Sequence, residues 1–520
     1  MHVVLISTYV QPVALGMRYV SAYLKQAGQR VTCLFVCSER QGSEPLADSL
    51  LADIVAHCKD VDVVGLSLMT NSFFRSCQIT EALRKGGVRA PILWGGTHPT
   101  VAPEESAQVA DFVCIGEGEK AMLEFVENVR SGRDPSDTRG FAFMKDGRLV
   151  RNPIYPLTDD LDTYPFPDYD MSDHLVAHKG RLVPVEPKLL GGTLRRYRLS
   201  STRGCPYSCS FCNNGTQLRI YREAGYGPMW VRKRSADSII AEIEHARANY
   251  PSIREVNLID DLFLIRNEQE VQVFVDAYKQ RVNLPIQLDA FPTTVTEDKI
   301  RRLADLPLRL ISMGIQSGCQ DTLVNIYNRP TRIERVAEAI RTISAAGLYA
   351  EYHYLVNNPF ESEDSLVETL RFVADHHHGP AKVRYFPLQF YPGSVMYQRA
   401  RDEGVIGERH EAAYSGVYHG KAFIKKARYL EIWLRVAVGL RNAGVSSATV
   451  HRVIGLATHP TIRRCLDHRW FAPMGFAFYR VGRVLHKNLR SVTKPFRRSA
   501  AKAARKTGKP KPAIAQKTAA

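Results

Sequence analysis

Several features are missing from this 520-residue chain, and each absence removes a class of answers. No uninterrupted apolar run reaches the roughly 18 residues that a spanning helix needs, so no transmembrane segment is expected. The ten cysteines are scattered and only three are close together, unlike the dense framework of a secreted disulfide scaffold. The opening residues Met1-His2-Val3-Val4-Leu5-Ile6 offer no basic leader and no cleavage site, so no signal peptide is expected. These absences point to the reducing cytoplasm. Acid is missing at the other end: from Val481 to Ala520 there are twelve Lys or Arg and no Asp or Glu. Without that stretch the formal charge of +17 falls to +5, so the basicity belongs to the tail and not to the body.

Apolar residues at 45% and charged residues at 24% are the usual proportions of a soluble globular protein. The length calls for two or three domains. Over the first 138 residues, short apolar runs (Val3–Ile6, Val31–Val36, Val61–Leu68, Ile92–Trp94, Phe112–Ile115) alternate with helix-period stretches such as Met17–Ala27 and Asn71–Lys85. That alternation predicts an α/β fold with a doubly wound parallel sheet, whose ligand site lies beyond the carboxyl ends of the strands. Residues 139–197, rich in Pro, Asp and Tyr, read as a connector. A second alternating series over 198–404 has strands at Arg198–Ser201, Glu255–Ile259, Ile286–Asp289, Leu310–Ile315, Glu351–Val356 and Val383–Phe390. Six βα units predict a partial barrel with its chemistry at the carboxyl ends. Residues 405–489 read as helical and 490–520 as a basic, disordered tail. An aromatic segment around Trp470–Tyr479 is expected to pack on the barrel, with contact at a membrane surface as the alternative.

The chemistry concentrates in Arg203-Gly204-Cys205-Pro206-Tyr207-Ser208-Cys209-Ser210-Phe211-Cys212, directly after the first strand of the second series. Three thiolates this close can hold one inorganic centre. Structural zinc normally takes four ligands, and no further Cys or His pair follows at finger spacing. A cubane iron–sulfur cluster normally takes four cysteines; three leave one iron open to a substrate or cofactor.

This loop resembles the hallmark of the radical S-adenosylmethionine superfamily, C-x-x-x-C-x-x-C with an aromatic before the last cysteine, matched here by Cys205, Cys209, Phe211 and Cys212. The resemblance implies a [4Fe–4S] cluster whose open iron chelates S-adenosylmethionine. It also implies one-electron cleavage to a 5′-deoxyadenosyl radical and an external electron donor of the flavodoxin or ferredoxin type. Leu258–Phe263 and Met313–Gly318 resemble later barrel segments of the family, which makes Gly314 and Gln316 candidates for S-adenosylmethionine contact.

The first domain resembles the cobalamin-binding domain of the superfamily's cobalamin-dependent branch, at Val64–Thr70, Gly95–Pro99 and Ile115–Glu119. Ser67, Gly95 and Gly96 become the cobalamin candidates. No Asp-x-His-x-x-Gly occurs there, and His98 is expected to be a loop or pocket residue, not an axial ligand. Together the resemblances imply a cobalamin-dependent radical methyltransferase acting on an unactivated carbon of a small-molecule or lipid substrate, with Tyr352, His353 and Tyr354 as candidates to face it. A radical cyclase, oxidase or rearrangement enzyme without methyl transfer is the alternative. A nucleic-acid-binding iron–sulfur protein ranks last, because structural clusters rarely leave an iron open.

Overall fold

The structure is a computed structural model that describes residues 1–9, 12–37, 45–186, 189, 192–227, 230–377, 381–409, 411–415 and 428–466. The aromatic segment around Trp470–Tyr479 and the basic tail lie outside the described residues. No helix among those described is long and apolar enough to cross a membrane.

Strands β1 (His2–Ser7), β2 (Arg30–Phe35), β3 (Val63–Ser67), β4 (Ile92–Gly95) and β5 (Phe112–Cys114) pair in parallel in the order β2-β1-β3-β4-β5. Their interiors are continuous apolar runs because helices cover both faces of the sheet. The order reverses between β1 and β3, and that switch opens the crevice where ligands bind in such sheets.

Residues 139–197, expected as a connector, do more than cross the surface. They supply β6 (Phe141–Lys145), β7 (Arg148–Arg151), β8 (His174–His178) and β9 (Arg181–Pro184), and each hairpin extends one edge of the first sheet. The reason is physical: a parallel sheet buried on both faces still has two unpaired edges, and antiparallel hairpins close them. The weak periodicity of this stretch reflects half-exposed edge strands.

Asp168 pins the connector to the first domain. It accepts from Ser21 Oγ at 2.5 Å, lies 3.0 Å from Lys25 Nζ and lies 3.4 Å from His174 Nε2. Ligand atoms of Cys33, Asp168 and His174 come within 4.8 Å of one another, but the Lys25 ammonium and the ring already give the carboxylate its counter-charge. Burial works against charging the His174 ring, yet Asp168 and Cys33 hold its pKa up at about 9.

The second sheet runs β10 (Arg196–Leu199), β13 (Glu255–Leu258), β14 (Ile286–Ala290), β15 (Leu308–Gln316), β16 (Ala350–Val356) and β17 (Lys382–Pro387), all parallel and in chain order, a six-stranded partial barrel. A two-stranded ribbon, β11 (Thr202–Arg203) with β12 (Arg232–Lys233), stands between β10 and β13 in sequence. Outward residues such as Val256, Leu288, Ile311, Met313, Tyr352 and Tyr354 pack under the helices in one core. The inward positions Asn257, Asp289, Ser312, Gly314 and His353 are polar or small, as an interior that takes a ligand requires.

Helices Tyr429–Asn442 and Ser447–Thr458 pack on Glu363–His376, outside the barrel. Between barrel and helices the chain returns to the first domain. Tyr414 donates to Glu105 at 2.6 Å, and its ring meets Phe73 and His98 edge-on at 5.5 and 5.8 Å.

Candidate functional site

The cysteine loop is built by its neighbours before any ligand is considered. Asp260, just past β13, accepts from the backbone N–H of Ser201 at 2.5 Å and of Thr202 at 2.9 Å, and also from the Ser201 hydroxyl. That carboxylate turns the chain sharply at the end of β10. Gly204 has φ +86°, and a methyl group there would strike the Trp230 carbonyl, so the position needs glycine. Trp230 in turn donates its indole N–H to the Cys205 carbonyl at 2.8 Å. On the far side Ser210 binds the backbone of the segment after β15, its N–H to Tyr327 O at 2.9 Å and its hydroxyl to Ile326 O at 2.7 Å. The Phe211 ring packs edge-on against Tyr327 at 5.2 Å. The aromatic residue of the motif therefore props the loop from behind.

The thiols of Cys205, Cys209 and Cys212 lie close enough for the charge of Cys209 and Cys212 to bear on Cys205, so the loop presents all three to one centre. Burial pushes Cys205 and Cys212 up to about 12 and raises Cys209 as well. Thiols so placed resist ionisation until a cationic centre arrives, which an iron–sulfur cluster provides. Asp261 opens toward the same space and is hydrogen-bonded by Asn214.

At the carboxyl end of β15, Gly314 and Gln316 both turn into the barrel. Gln316 has φ +74°, a strained conformation for a residue with a side chain, and the pairing with β16 shifts register there. Ser317 then leaves the barrel and donates to the buried Glu361 at 3.1 Å. Burial holds the Glu361 carboxyl up near 7, against the pull of Arg428.

Of the three substrate candidates, alternation turns only His353 inward. Tyr352 and Tyr354 are 1% and 0% exposed within the helix-covered core, which corrects the expectation for both. His353 is 3.0 Å from Glu351 and packs on Phe386.

A cleft of about 400 Å³ runs between the two domains. Ser67, Gly95 and Gly96 line it from the first sheet, and Ser200, Arg203 and Ile259 line it from the barrel. Gly65, Gly95 and Gly96 bring bare backbone to part of its wall. A methyl group at Gly65 would come to 2.9 Å of Leu5, and one at Gly96, φ +101°, would come to 2.7 Å of the Leu68 carbonyl. Among the described residues no histidine lines the cleft. His98 is fully buried beside Phe73, its Nδ1 3.2 Å from Thr70 Oγ1, and burial drives its pKa down to about 3. It is a core residue outside the cleft lining, which corrects the expectation of a loop or pocket position.

At the mouth of the cleft Arg203 lies 3.1 Å from Glu117 and 2.6 Å from Glu119, and Arg232 also pairs with Glu117. The Tyr221 hydroxyl accepts from the Glu117 N–H at 2.9 Å. Both glutamates lie in the Gly116–Glu119 segment, which the sequence marked as characteristic without giving it a task.

Residues 1–126 match the family model of the B12 binding domain, and residues 199–373 match that of the radical SAM superfamily. The chain joins a B12-binding domain to a radical SAM domain. Cobalamin, S-adenosylmethionine and a [4Fe–4S] cluster are the cofactors of this pairing, and the chain is an enzyme. Among its relatives is the bacteriochlorophyllide d C-8(2)-methyltransferase of Chlorobaculum tepidum, 25% identical over 74% of this chain and 77% of that one. Another is the anaerobic magnesium-protoporphyrin IX monomethyl ester cyclase of Rubrivivax gelatinosus, 23% identical over 78% of this chain and 74% of that one. Among solved structures, the radical S-adenosylmethionine methyltransferase TsrM from Kitasatospora setae superposes with a TM-score of 0.61 at 16% identity, covering 77% of this chain and 76% of that one. That likeness shows a shared fold. This radical SAM chain therefore has its cysteine loop at the barrel mouth and its B12-type cleft on the same side.

Proposed function

We propose that the protein is a cobalamin-dependent radical S-adenosylmethionine methyltransferase that acts on an unactivated carbon of a small-molecule substrate. The observation that carries this reading is the shared cleft: Ser67, Gly95 and Gly96 face it from the sheet, while Ser200 and Arg203 face it from the strand that leads into the cysteine loop. A methyl carrier and a radical generator must reach one carbon, and this arrangement gives both access to a single space.

When bound, the cluster supplies one electron to cleave S-adenosylmethionine into methionine and a 5′-deoxyadenosyl radical, and cobalamin carries the methyl group. The chain's own residues provide position and exclusion. Cys205, Cys209 and Cys212 would hold the cluster. The inward Gly314 and the strained Gln316 would contact S-adenosylmethionine, with Asp261 beside it. The bare backbone of Gly65, Gly95 and Gly96 would take the flat face and tail of cobalamin, and Ser67 would offer its hydroxyl there. Asp289 and His353, inward on β14 and β16, would face the substrate. The electron comes from an external donor, for which a flavodoxin or ferredoxin type fits a low-potential cluster. The cyclase relative keeps a second reading open: radical chemistry in the same cleft without methyl transfer.

Anaerobic reconstitution with iron, sulfide, cobalamin, S-adenosylmethionine and a reductant tests the proposal. Both 5′-deoxyadenosine and S-adenosylhomocysteine should form, with a substrate gain of one methyl group. 5′-Deoxyadenosine without S-adenosylhomocysteine would favour the cyclase-type reading. No 5′-deoxyadenosine under any condition would defeat both. Replacing all three cysteines by Ala should abolish the cluster absorbance; its persistence would show that the ligands lie elsewhere.

A further inference from the structure

The last strand of the barrel carries cations on its inner face. In β17, Val383 and Tyr385 pack against the helix-covered core, so alternation turns Lys382, Arg384 and Phe386 inward. β16 turns Glu351 and His353 the same way, and the register sets Glu351 beside Lys382 and His353 beside Arg384. Glu351, whose side chain is 4% exposed, is the centre of the group. Its Oε1 lies 2.7 Å from Arg384 Nε and 3.0 Å from His353 Nε2, and Lys382 pairs with its other oxygen.

One carboxylate thus serves two cations, which leaves this wall with a net positive charge whatever the state of His353. The side chains of Lys382 and Arg384 are 46% and 52% exposed although they stand inside the barrel, so open space lies in front of them. Among the described residues the two Nη groups of Arg384 meet no acceptor. The rest of the sequence offers little to balance the charge: residues 416–427 hold three Lys and no acid, and Asp467 is the one acid after Leu466. A planar fork of N–H donors facing open space suits a carboxylate or a phosphate, which it can bind through two parallel hydrogen bonds.

The wall also stands where a substrate has to lie. Gly314 of β15, His353 and Arg384 share one row of the sheet. Two strand spacings separate the ends of that row, so Arg384 is about 10 Å along the sheet from Gly314. One step toward the carboxyl ends, Phe386 is the next inward residue of β17, and its ring meets His353 edge-on at 5.1 Å. The inner face therefore passes from cationic to apolar in the direction of the cysteine loop.

We propose that Arg384 and Lys382 bind an oxyanion of the substrate, a carboxylate or a phosphate, while Phe386 carries the apolar part toward the barrel mouth. This rests on the radical chemistry proposed for the cleft and names the class of molecule that enters it. Glu351 stays in place and holds both cations to the wall. Anchored by its charged end, the substrate presents carbon to the radical.

Saturation-transfer NMR on the full-length reconstituted protein tests this without turnover, with phenyl phosphate, benzoate and benzyl alcohol as probes. At least one of the two anions should bind, and benzyl alcohol, which has the ring without the charge, should not. R384Q should weaken binding of that anion about tenfold or more, the worth of a charge-assisted hydrogen bond, with cluster and cobalamin absorbance unchanged. R384K, which keeps the charge without the fork, should fall between R384Q and the parent. Binding of phenyl phosphate alone sustains the inference for a phosphate ester, binding of benzoate alone sustains it for a carboxylate, and binding of both sustains it for either. Equal binding of all three probes, or anion binding that R384Q leaves unmoved, overturns it. If R384Q does not fold, K382Q and R384K decide: weaker anion binding in either sustains the inference, and unmoved binding in both overturns it. A parent protein that forms 5′-deoxyadenosine but binds neither anion overturns this inference alone. One that forms none under any condition overturns it together with the proposed function.

Discussion

Arg203 Nη2 stands 2.6 Å from Glu119 Oε1, which joins the residue two before the first loop cysteine to the lining of the B12-type cleft. Its guanidinium also lies over Tyr19 and Tyr164, at 5.1 and 4.9 Å. One side chain therefore couples the beginning of the cluster loop to helix Leu15–Gln26, to the connector and to the Gly116–Glu119 turn. The two domains are bound at the cleft that both of them line.

Weakening that joint should disturb geometry before it disturbs loading. Glu119 is nearly inaccessible, and unpairing a buried ion pair costs on the order of 3–5 kcal/mol. Part of that remains compensated by Glu117. In Glu119→Gln the cluster absorbance should be retained and cobalamin should bind roughly tenfold more weakly, about 1.4 kcal/mol. The magnetic interaction between reduced cluster and cob(II)alamin should broaden. A sharp, parent-like interaction spectrum would show that Arg203 does not fix the spacing.

The cleft wall can be tested with cluster chemistry left intact. Gly65→Val would drive a branched side chain into Leu5 and toward Met122, which narrows the space between sheet and helix. Overpacking of about 1–3 kcal/mol is the usual cost, and in this position it falls on the ligand. Cobalamin affinity should drop by about 10- to 100-fold while 5′-deoxyadenosine formation survives. Parent-like cobalamin binding would place the ligand elsewhere on the sheet.

These joints mark the limit of what the sequence discloses. Apolar runs such as Val61–Leu68 and Ile286–Asp289 are legible because buried parallel strands are continuous, and Cys205, Cys209 and Cys212 are legible because one loop brings them together. Ser67, Gly95 and Gly96 could be picked out because loops at sheet switch points carry function. Arg203 and Glu119 could not, because they lie 84 residues apart and charge alone reads as surface. Tyr352 and Tyr354 misled for the converse reason: a tyrosine on a barrel strand looks catalytic until the register decides which face it takes. The connector hid its four strands because edge strands alternate weakly. Glycine spacing in the Gly116–Glu119 turn was the available signal for the ion-pair cluster.

Asp289 offers a test of the barrel interior. Burial raises its carboxyl to about 6, against the hydrogen bond from Ser312. A carboxyl raised in the folded state destabilises once ionised: the cost is absent below pH 4, grows between the two pKa values and is complete above about 6. After allowance for partial exposure it amounts to about 1–2 kcal/mol. Asp289→Asn should therefore melt higher than the parent at pH 8 and equal it at pH 4, while substrate turnover falls sharply at both. A variant more stable but less active identifies a residue kept for function. Equal melting at pH 8 would show that the site does not disfavour the anion.

The opposite sign belongs to His174. Its ring is fully buried between Asp168 and Cys33, and its folded pKa of about 9 stands above the ordinary histidine value of 6.5. A histidine raised on folding contributes stability that is complete below its unfolded pKa and is lost as pH climbs through the folded one. The window is therefore pH 6.5 to 9, and its depth is about 2 kcal/mol. The connector and the edge of β2 depend on this pair, so the loss should be local to the first sheet. Melting followed by tryptophan fluorescence should decline steadily from pH 7 to 9.5 in the parent. In His174→Gln it should start lower at pH 7 and stay flat across the same range. A parallel decline in both proteins would mean that the pH sensitivity arises elsewhere and that the imidazole is neutral in the fold.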